Sequence, residues 1–410
     1  MDFFKKCRKW LCQGALMLGL LLYALTGKEA AAMDDKAKTI LFATDIHYLS
    51  PSLTDYGPIF QTLMEKGDGK LTEYSAEIME GLLEAARENG CDTVVLAGDL
   101  TFNGEHQSLV DLREMFERAQ QQGLRVLVIP GNHDIAYPYA CEYRGDKAKR
   151  VPAISQKDFR EMMEDFGYGE ASLKDGSSFS YVYPLTEKDW LLFLDANTEK
   201  APGKIGDATL YWLRETLEEA KAKEKRVTII CHQNLLPHSS FMSGGFVLGN
   251  GVQVVDLVRS FGVSLALTGH SHLQDTVERD GLTDICTESA SVAPLRYALV
   301  SFPEEGEVGY EKRDLSLRQR EAKERFFQVV GNQVRKSLVK KNLTETEMSA
   351  LVSFAQDVNL AYFSGYLDDR SIHTLKEGAR WKLWGQKAKD TFWYIYMASY
   401  LVEESAPKKE

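Results

Sequence analysis

The apolar run Val126-Leu127-Val128-Ile129 stops at Pro130-Gly131, and Asn132, His133 and Asp134 follow at once. A short β-branched run bounded by Pro-Gly reads as a buried strand with an abrupt end. Asn132 and His133 are therefore delivered at the carboxyl end of a strand, where open α/β sheets place their ligand crevices. A side-chain carbonyl beside an imidazole pairs a metal ligand with a proton donor. One such turn constrains little, because Asn-His after Gly also occurs as a plain turn. Four other strand-like runs that end the same way constrain the chain far more.

Residues 39–44 run into Asp45-Ile46-His47, and residues 93–97 run into Gly98-Asp99. Residues 226–231 lead to His232, and residues 263–268 lead to Gly269-His270-Ser271-His272. Helix-like windows over residues 73–89 and 105–122 separate the first three strands, each followed by a glycine stop. Strand, helix, strand, helix implies parallel pairing with right-handed crossovers. A second set at 179–183, 190–194, 284–287 and 296–300 has no helices between its members, which favours antiparallel or mixed pairing. The expectation is an α/β fold over residues 37–305: two packed mixed sheets with helices outside, an α-β-β-α sandwich.

After Pro303 the pattern changes, and from Asp314 onward no strand signal remains. Phe326, Val330, Val334 and Leu338 step by four along one helix face. Thr344 with Glu347 forms a capping box for a second helix. Residues 372–401 read as a third helix carrying Trp381, Trp384, Phe392, Trp393 and Tyr396, aromatics whose spacing suits a core. A small all-α domain is expected over residues 312–405.

The strand ends gather Asp45, His47, Asp99, Asn132, His133, His232, His270 and His272, five of the chain's eight histidines. A single histidine is commonly a satisfied core residue. Five at the carboxyl ends of four separate strands are not explained that way. Mixed carboxylate and imidazole ligands suit Mn, Fe or Zn, whereas an all-oxygen set suits Mg or Ca. Seven ligands exceed what one catalytic ion with an open position needs. They suit two ions about 3.5–4 Å apart with a shared carboxylate and a bridging hydroxide. No nucleophile elbow, Walker loop or dinucleotide-binding fingerprint is present.

Asp45-x-His47, Gly98-Asp99, Gly131-Asn132-His133-Asp134, His232 and Gly269-His270-x-His272 occur in the order of the calcineurin-like metallophosphoesterase superfamily, which the chain resembles over residues 40–272. The resemblance implies that Asp45, His47 and His272 hold one metal, that Asn132, His232 and His270 hold the second, and that Asp99 bridges them. It implies that His133 faces the leaving group. The flanks 98–105, 131–135 and 232–238, with the helical tail, resemble the bacterial class III cyclic-nucleotide phosphodiesterases, so the expected reaction is hydrolysis of a small phosphodiester. Protein phosphatases of the superfamily carry an Asp where this chain has Phe102, which argues against a phosphoprotein substrate. An exported phosphomonoesterase or nucleotidase, or a non-catalytic metal-binding scaffold of the same fold, are the alternatives. Asn103 and His238 lie close in sequence to ligands and are candidate substrate contacts. The glycine- and serine-rich stretch 237–250 reads as a loop able to roof the site.

Composition bounds the partners. Hydrophobic content of 44% and charged content of 27% are globular values. Lys5, Lys6, Arg8 and Lys9 precede an apolar run from Leu11 to Leu25, and Ala30-Ala31-Ala32 follows, the layout of an export signal. Cleavage after Ala32 is expected, with a retained membrane anchor as the alternative. It would remove five basic and two acidic groups, taking the formal charge from −11 to −14. Such a surface repels phosphate backbones, which excludes a nucleic-acid polymer as partner. The cysteines beyond the signal, Cys91, Cys141, Cys231 and Cys286, form no CxxC pair and are expected as free thiols.

Overall fold

The structure is a computed structural model that describes residues 37–242 and 244–401. The export signal expected over residues 1–32 and the end of the expected helical domain, residues 402–405, lie outside the described residues. Among the described residues no helix is long and apolar enough to cross a membrane.

In chain order the first elements are β1 (Lys38–Ala43), α1 (Pro58–Lys66), α2 (Ser75–Glu88), β2 (Thr93–Ala97), α3 (His106–Gln121) and β3 (Arg125–Ile129). A hairpin, β4 (Cys141–Arg144) and β5 (Lys147–Arg150), and α4 (Gln156–Met163) follow. Then come β6 (Leu173–Lys174), β7 (Tyr181–Pro184), β8 (Asp189–Phe193), α5 (Asp207–Ala222), β9 (Arg226–Ile230), α6 (Gly251–Ser260) and β10 (Leu265–Thr268). The strands end with β11 (Asp275–Arg279), β12 (Leu282–Cys286), β13 (Arg296–Phe302) and β14 (Gly309–Asp314). The tail holds α7 (Gln319–Leu338), α8 (Glu345–Phe363), α9 (Asp369–Glu377), α10 (Ala379–Lys387) and α11 (Phe392–Leu401).

One mixed sheet runs β14-β13-β1-β2-β3, with β1, β2 and β3 parallel and β13 antiparallel to β1. The other runs β11-β12-β10-β9-β8-β7-β6, parallel from β8 through β9 and β10 to β12. Strand alternation decides what lies between them. Leu191 and Phe193 of β8 join the core shared by the two sheets, while Trp190 and Leu192 join Leu213, Leu217 and Val258 under α5 and α6. Ile78 and Leu82 of α2 with Leu109 and Phe116 of α3 cover the first sheet. The order of layers is therefore helix, sheet, sheet, helix. Each of these buried side chains contributes about 1.5–3 kcal/mol of transfer free energy. The Tyr181 hydroxyl donates to the Val128 carbonyl at 2.9 Å, a polar tie across the shared core.

Three elements depart from the sequence expectation. Helical crossovers α5 and α6, which the sequence reading did not place, join β8 to β9 and β9 to β10 in parallel, whereas β7 and β8 of the helix-free set pair antiparallel as expected. β14 extends the first sheet beyond residue 305; its sequence GYEKRD lacks an apolar alternation because it is an edge strand. The expected third tail helix is three pieces. Extended backbone at Gly378 (ψ 146°) separates α9 from α10, and residues 388–391 separate α10 from α11.

The tail is continuous with the sheets. Phe326, Val330, Val334 and Leu338 of α7 belong to the same core as β1 and β13. Thr344 and Glu347 cap α8 reciprocally, as the sequence predicted. Trp384 is fully buried and donates its indole N–H to the Leu351 carbonyl at 3.2 Å. Cys91, Cys141, Cys231 and Cys286 are free.

Candidate metal centre

Strand ends converge because their loops are bonded to one another. The Asp45 N–H donates to the Gly98 carbonyl at 3.1 Å and the His47 N–H to the Asp99 carbonyl at 2.9 Å, joining the loops after β1 and β2. Asp134 fastens the loop after β3 to that after β2. Its carboxylate accepts from the backbone N–H groups of Gly131 (2.8 Å), Leu100 (3.1 Å) and Thr101 (2.8 Å), and from the Thr101 hydroxyl (2.8 Å). The hydroxyls of Ser289 and Ser291 donate to the Asp45 carbonyl at 2.8 and 3.0 Å. Two glycines make the closeness possible. A Cβ on Gly131 would stand 2.1 Å from the Asp99 nitrogen, and one on Gly269 2.1 Å from the Thr44 hydroxyl.

The backbone is strained where the candidate ligands sit. Asp45, His47, Asp99, His270 and His272 all have positive φ, between 48° and 66°. Left-handed backbone is uncommon for non-glycine residues, costs of order 1–3 kcal/mol each, and clusters at functional sites.

The side chains form two adjoining groups. His47 Nε2 and His272 Nε2 lie 3.3 Å apart, at 3.7 and 3.2 Å from Asp45 Oδ1. On the other side His232 Nε2 is 3.3 Å from Asp99 Oδ1 and 3.1 Å from Asn132 Oδ1, with His270 in the same group. Asp99 lies between them: Oδ1 faces His232, and Oδ2 lies 3.6 Å from His47. A carboxylate that presents one oxygen to each group suits a shared ligand.

The donor set fits cations on three counts. Asp45 Oδ2 accepts the His270 N–H at 2.9 Å, whereas Oδ1, aimed at the cluster, is buried without a hydrogen-bond partner. His232 Nδ1 lies 2.9 Å from the Ala97 carbonyl and His270 Nε2 lies 2.9 Å from that of Gly245. Each such bond fixes a tautomer and leaves the other ring nitrogen as a lone-pair donor; the one on His270, Nδ1, is buried and unpartnered. Charge states agree with ligand readiness. Burial pushes the Asp45 and Asp99 carboxyls up, but neighbouring imidazoles outweigh it and hold both below the usual carboxylate range. Burial also depresses the imidazoles of His47 and His133, and takes His270 down to about 4. His232 is the exception: burial opposes its charge, yet Asp99 and Asp45 raise it to about 9. Cation binding displaces such a proton.

His133 stands at the edge of this cluster, its Nε2 4.0 Å from Asp99 Oδ2 and its side chain 22% exposed. Its Nδ1 lies 3.1 Å from the Phe102 carbonyl and 3.3 Å from Asn103 Oδ1, and its ring stacks on Tyr137. Asn103 thus reaches the site through His133, and its backbone N–H donates to Glu105. His238 is a correction. Its side chain is 1% exposed, with Nδ1 3.1 Å from Asp275 and Nε2 3.4 Å from Asp284. It braces the loop after β9 and does not line the cavity. Nearness in sequence to His232 misplaced it.

The cluster forms one end of a cavity of about 530 Å³. Asp68 and Lys70 line it beside His47, His133 and His272, and Met242 and Phe246 of the 237–250 loop also face it. The far wall comes from the tail: Phe326, Val329, Phe363, Phe392, Trp393 and Tyr396. Phe241 bridges loop and tail, its ring 5.5 Å from Tyr396 and 6.2 Å from Phe392. Sequence reasoning missed Asp68 and Lys70 because their stretch, Gly67-Asp68-Gly69-Lys70, carries only a turn signal.

The sequence matches the family described as calcineurin-like phosphoesterase over residues 38–274. Residues 307–406 match the C-terminal domain of cyclic nucleotide phosphodiesterase. No curated protein matches. Among solved structures, a dimetal phosphatase from Danio rerio is 15% identical, covering 68% of this chain and 99% of its own, with a TM-score of 0.45. A purple acid phosphatase from yellow lupin (Lupinus luteus) seeds is 11% identical, covering 69% of this chain and 52% of its own, with a TM-score of 0.44. A putative 5'-nucleotidase from Staphylococcus aureus is 12% identical, covering 74% of this chain and 59% of its own, with a TM-score of 0.40.

Proposed function

The chain belongs to the calcineurin-like phosphoesterase family, and from that premise we propose that it hydrolyses small phosphodiesters, cyclic nucleotides among them, with the help of two bound cations. The observation that carries this reading is the cavity: a ligand cluster at one end and an aromatic wall from the helical tail at the other, within about 530 Å³. That volume suits one small molecule. A diester brings organic groups on both sides of phosphorus and a single negative charge, which the apolar wall favours over the doubly charged head of a monoester. The match of the tail to the C-terminal domain of cyclic nucleotide phosphodiesterase supports the same choice.

Asp45, His47 and His272 would hold one cation and Asn132, His232 and His270 the other, with Asp99 between them. The mixed oxygen and nitrogen donors favour Mn, Fe or Zn. When bound, such a pair neutralises the phosphoryl oxygens and supplies a nucleophile at neutral pH. His133 is assigned as the acid and not as a ligand, because its ring opens on the cavity. Its Nε2 is the atom that would serve the leaving oxygen: the ring donates a proton there in the imidazolium form, which an anionic substrate favours over the neutral resting form, while the Nδ1–H directed at the Phe102 carbonyl keeps the ring aimed. Asn103 helps that aim and takes the place of a supporting carboxylate. The charge and apolar layout of residues 1–32 supports action outside the cytoplasmic membrane.

The test is a substrate panel with Mn²⁺ present. It compares kcat/KM for 3′,5′- and 2′,3′-cyclic nucleotides, glycerophosphodiesters and bis-p-nitrophenyl phosphate with that for p-nitrophenyl phosphate. Diesters are expected to lead. A tenfold lead for the monoester would remove the diesterase reading and leave a phosphomonoesterase.

A further inference from the structure

Lys70 has no place in the ligand set, yet it lines the same cavity as His47, His133 and His272. It is the one lysine or arginine among the described residues that line it. Its side chain is only 11% exposed, and its ammonium lies 3.0 Å from Asp68 Oδ2. The same oxygen is 3.7 Å from Nδ1 of His272. An ammonium carries three donors, and one carboxylate does not occupy them.

The loop that carries Lys70 is held from three sides. Leu71 donates its N–H to the Ser291 carbonyl at 2.8 Å, in the segment that also braces Asp45. Arg325 of the tail donates to the Lys70 carbonyl at 3.4 Å and pairs with Glu73 at 2.5 Å. Gly69, with φ of 100°, packs against Phe326 of α7. A cation is thus fixed beside a cluster that would itself receive cations. Such placement is electrostatically unfavourable unless an anion completes it. A second cation-bearing arm beside a metal pair is a recurring way to clamp a phosphoryl group.

Resting on the phosphoesterase reading above, we propose that Lys70 binds a non-bridging phosphoryl oxygen of the substrate, with Asp68 aiming its ammonium and the helical tail holding its loop. The bland alternative is that Lys70 only neutralises Asp68.

The experiment uses the full chain loaded with Mn²⁺ and the variants Lys70→Met and Lys70→Arg. Binding of inorganic phosphate is titrated by calorimetry, kcat/KM is measured on bis-p-nitrophenyl phosphate, and metal content is measured in parallel. With metal content unchanged, Lys70→Met should weaken phosphate binding and lower kcat/KM by about 10–100-fold, the range for losing a charge-assisted hydrogen bond. Lys70→Arg should recover part of both. Unchanged phosphate binding in Lys70→Met overturns the proposal, and so does loss of the metals in both variants, which would make Lys70 a structural support. A wild-type protein that loads metal without turnover sinks the phosphoesterase reading, while the phosphate titration still decides Lys70.

Discussion

The cavity has two ends built by opposite means. At the strand ends the side chains are polar, buried and bound into place by backbone donors, with Asp45, His47 and Asp99 at most 2% exposed. At the tail end the wall is aromatic and partly open, and Phe392 is 62% exposed. Five left-handed residues mark the first end, whereas ordinary helix packing builds the second. On the proposed reading, the difference separates chemistry from selection. A reaction needs atoms held rigidly, and strain is tolerated for that. Choosing among organic groups needs only surface of the right kind.

Breaking the rigid end should therefore be far more damaging. Asp99→Ala should abolish turnover and metal loading together, because neither group of ligands is complete without the carboxylate between them; metal analysis and hydrolysis rates check this. His133→Ala should keep the metals and lose about 10²–10⁴-fold in kcat, the usual worth of a positioned acid. Metal loss in that variant would move His133 into the ligand set.

Outside the cavity lies His238, at the base of the roofing loop and buried against Asp275 and Asp284. Burial opposes its charge, but Asp284 and Asp275 outweigh burial and raise it to about 9. A raised folded value means that the stabilisation is complete below the unfolded value near 6.5 and is lost as pH climbs through about 9. Unfolding free energies of wild type and His238→Gln should differ by about 3 kcal/mol less at high pH than at pH 6. A difference that stays constant with pH would remove the ion pair as its cause.

The smallest effect belongs to the aromatic end. Phe392→Ala removes an exposed ring from the cavity wall without opening the core, and stacking on a base is worth about 1–3 kcal/mol. The change should raise KM about tenfold for a cyclic nucleotide and leave a ring-free glycerophosphodiester alone. Equal effects on both would mean that the wall only closes the cavity.

The same contrast explains what could be read in the sequence. Asp45, Asp99, Asn132, His232 and His270 were legible because each lies within three residues of the end of an apolar strand, so strand prediction also places the candidate ligand. Lys70 was invisible, since its approach to the site depends on α7 clamping a loop far away in sequence. His238 misled because eight residues after β9 its side chain is turned inward to Asp284. The crossover helix α5 was passed over between two apolar strands, and β14 escaped notice because an exposed edge strand of charged residues has no apolar rhythm. The positive φ values follow from loop-to-loop bonding that no local pattern encodes.

The central claim is that two cations at the strand ends perform phosphoester hydrolysis. Metal content per chain, measured together with hydrolysis of bis-p-nitrophenyl phosphate before and after chelation and Mn²⁺ restoration, tests it most directly. The account predicts two ions per chain and turnover that vanishes and returns with them. Full loading with no turnover on any phosphoester would contradict it.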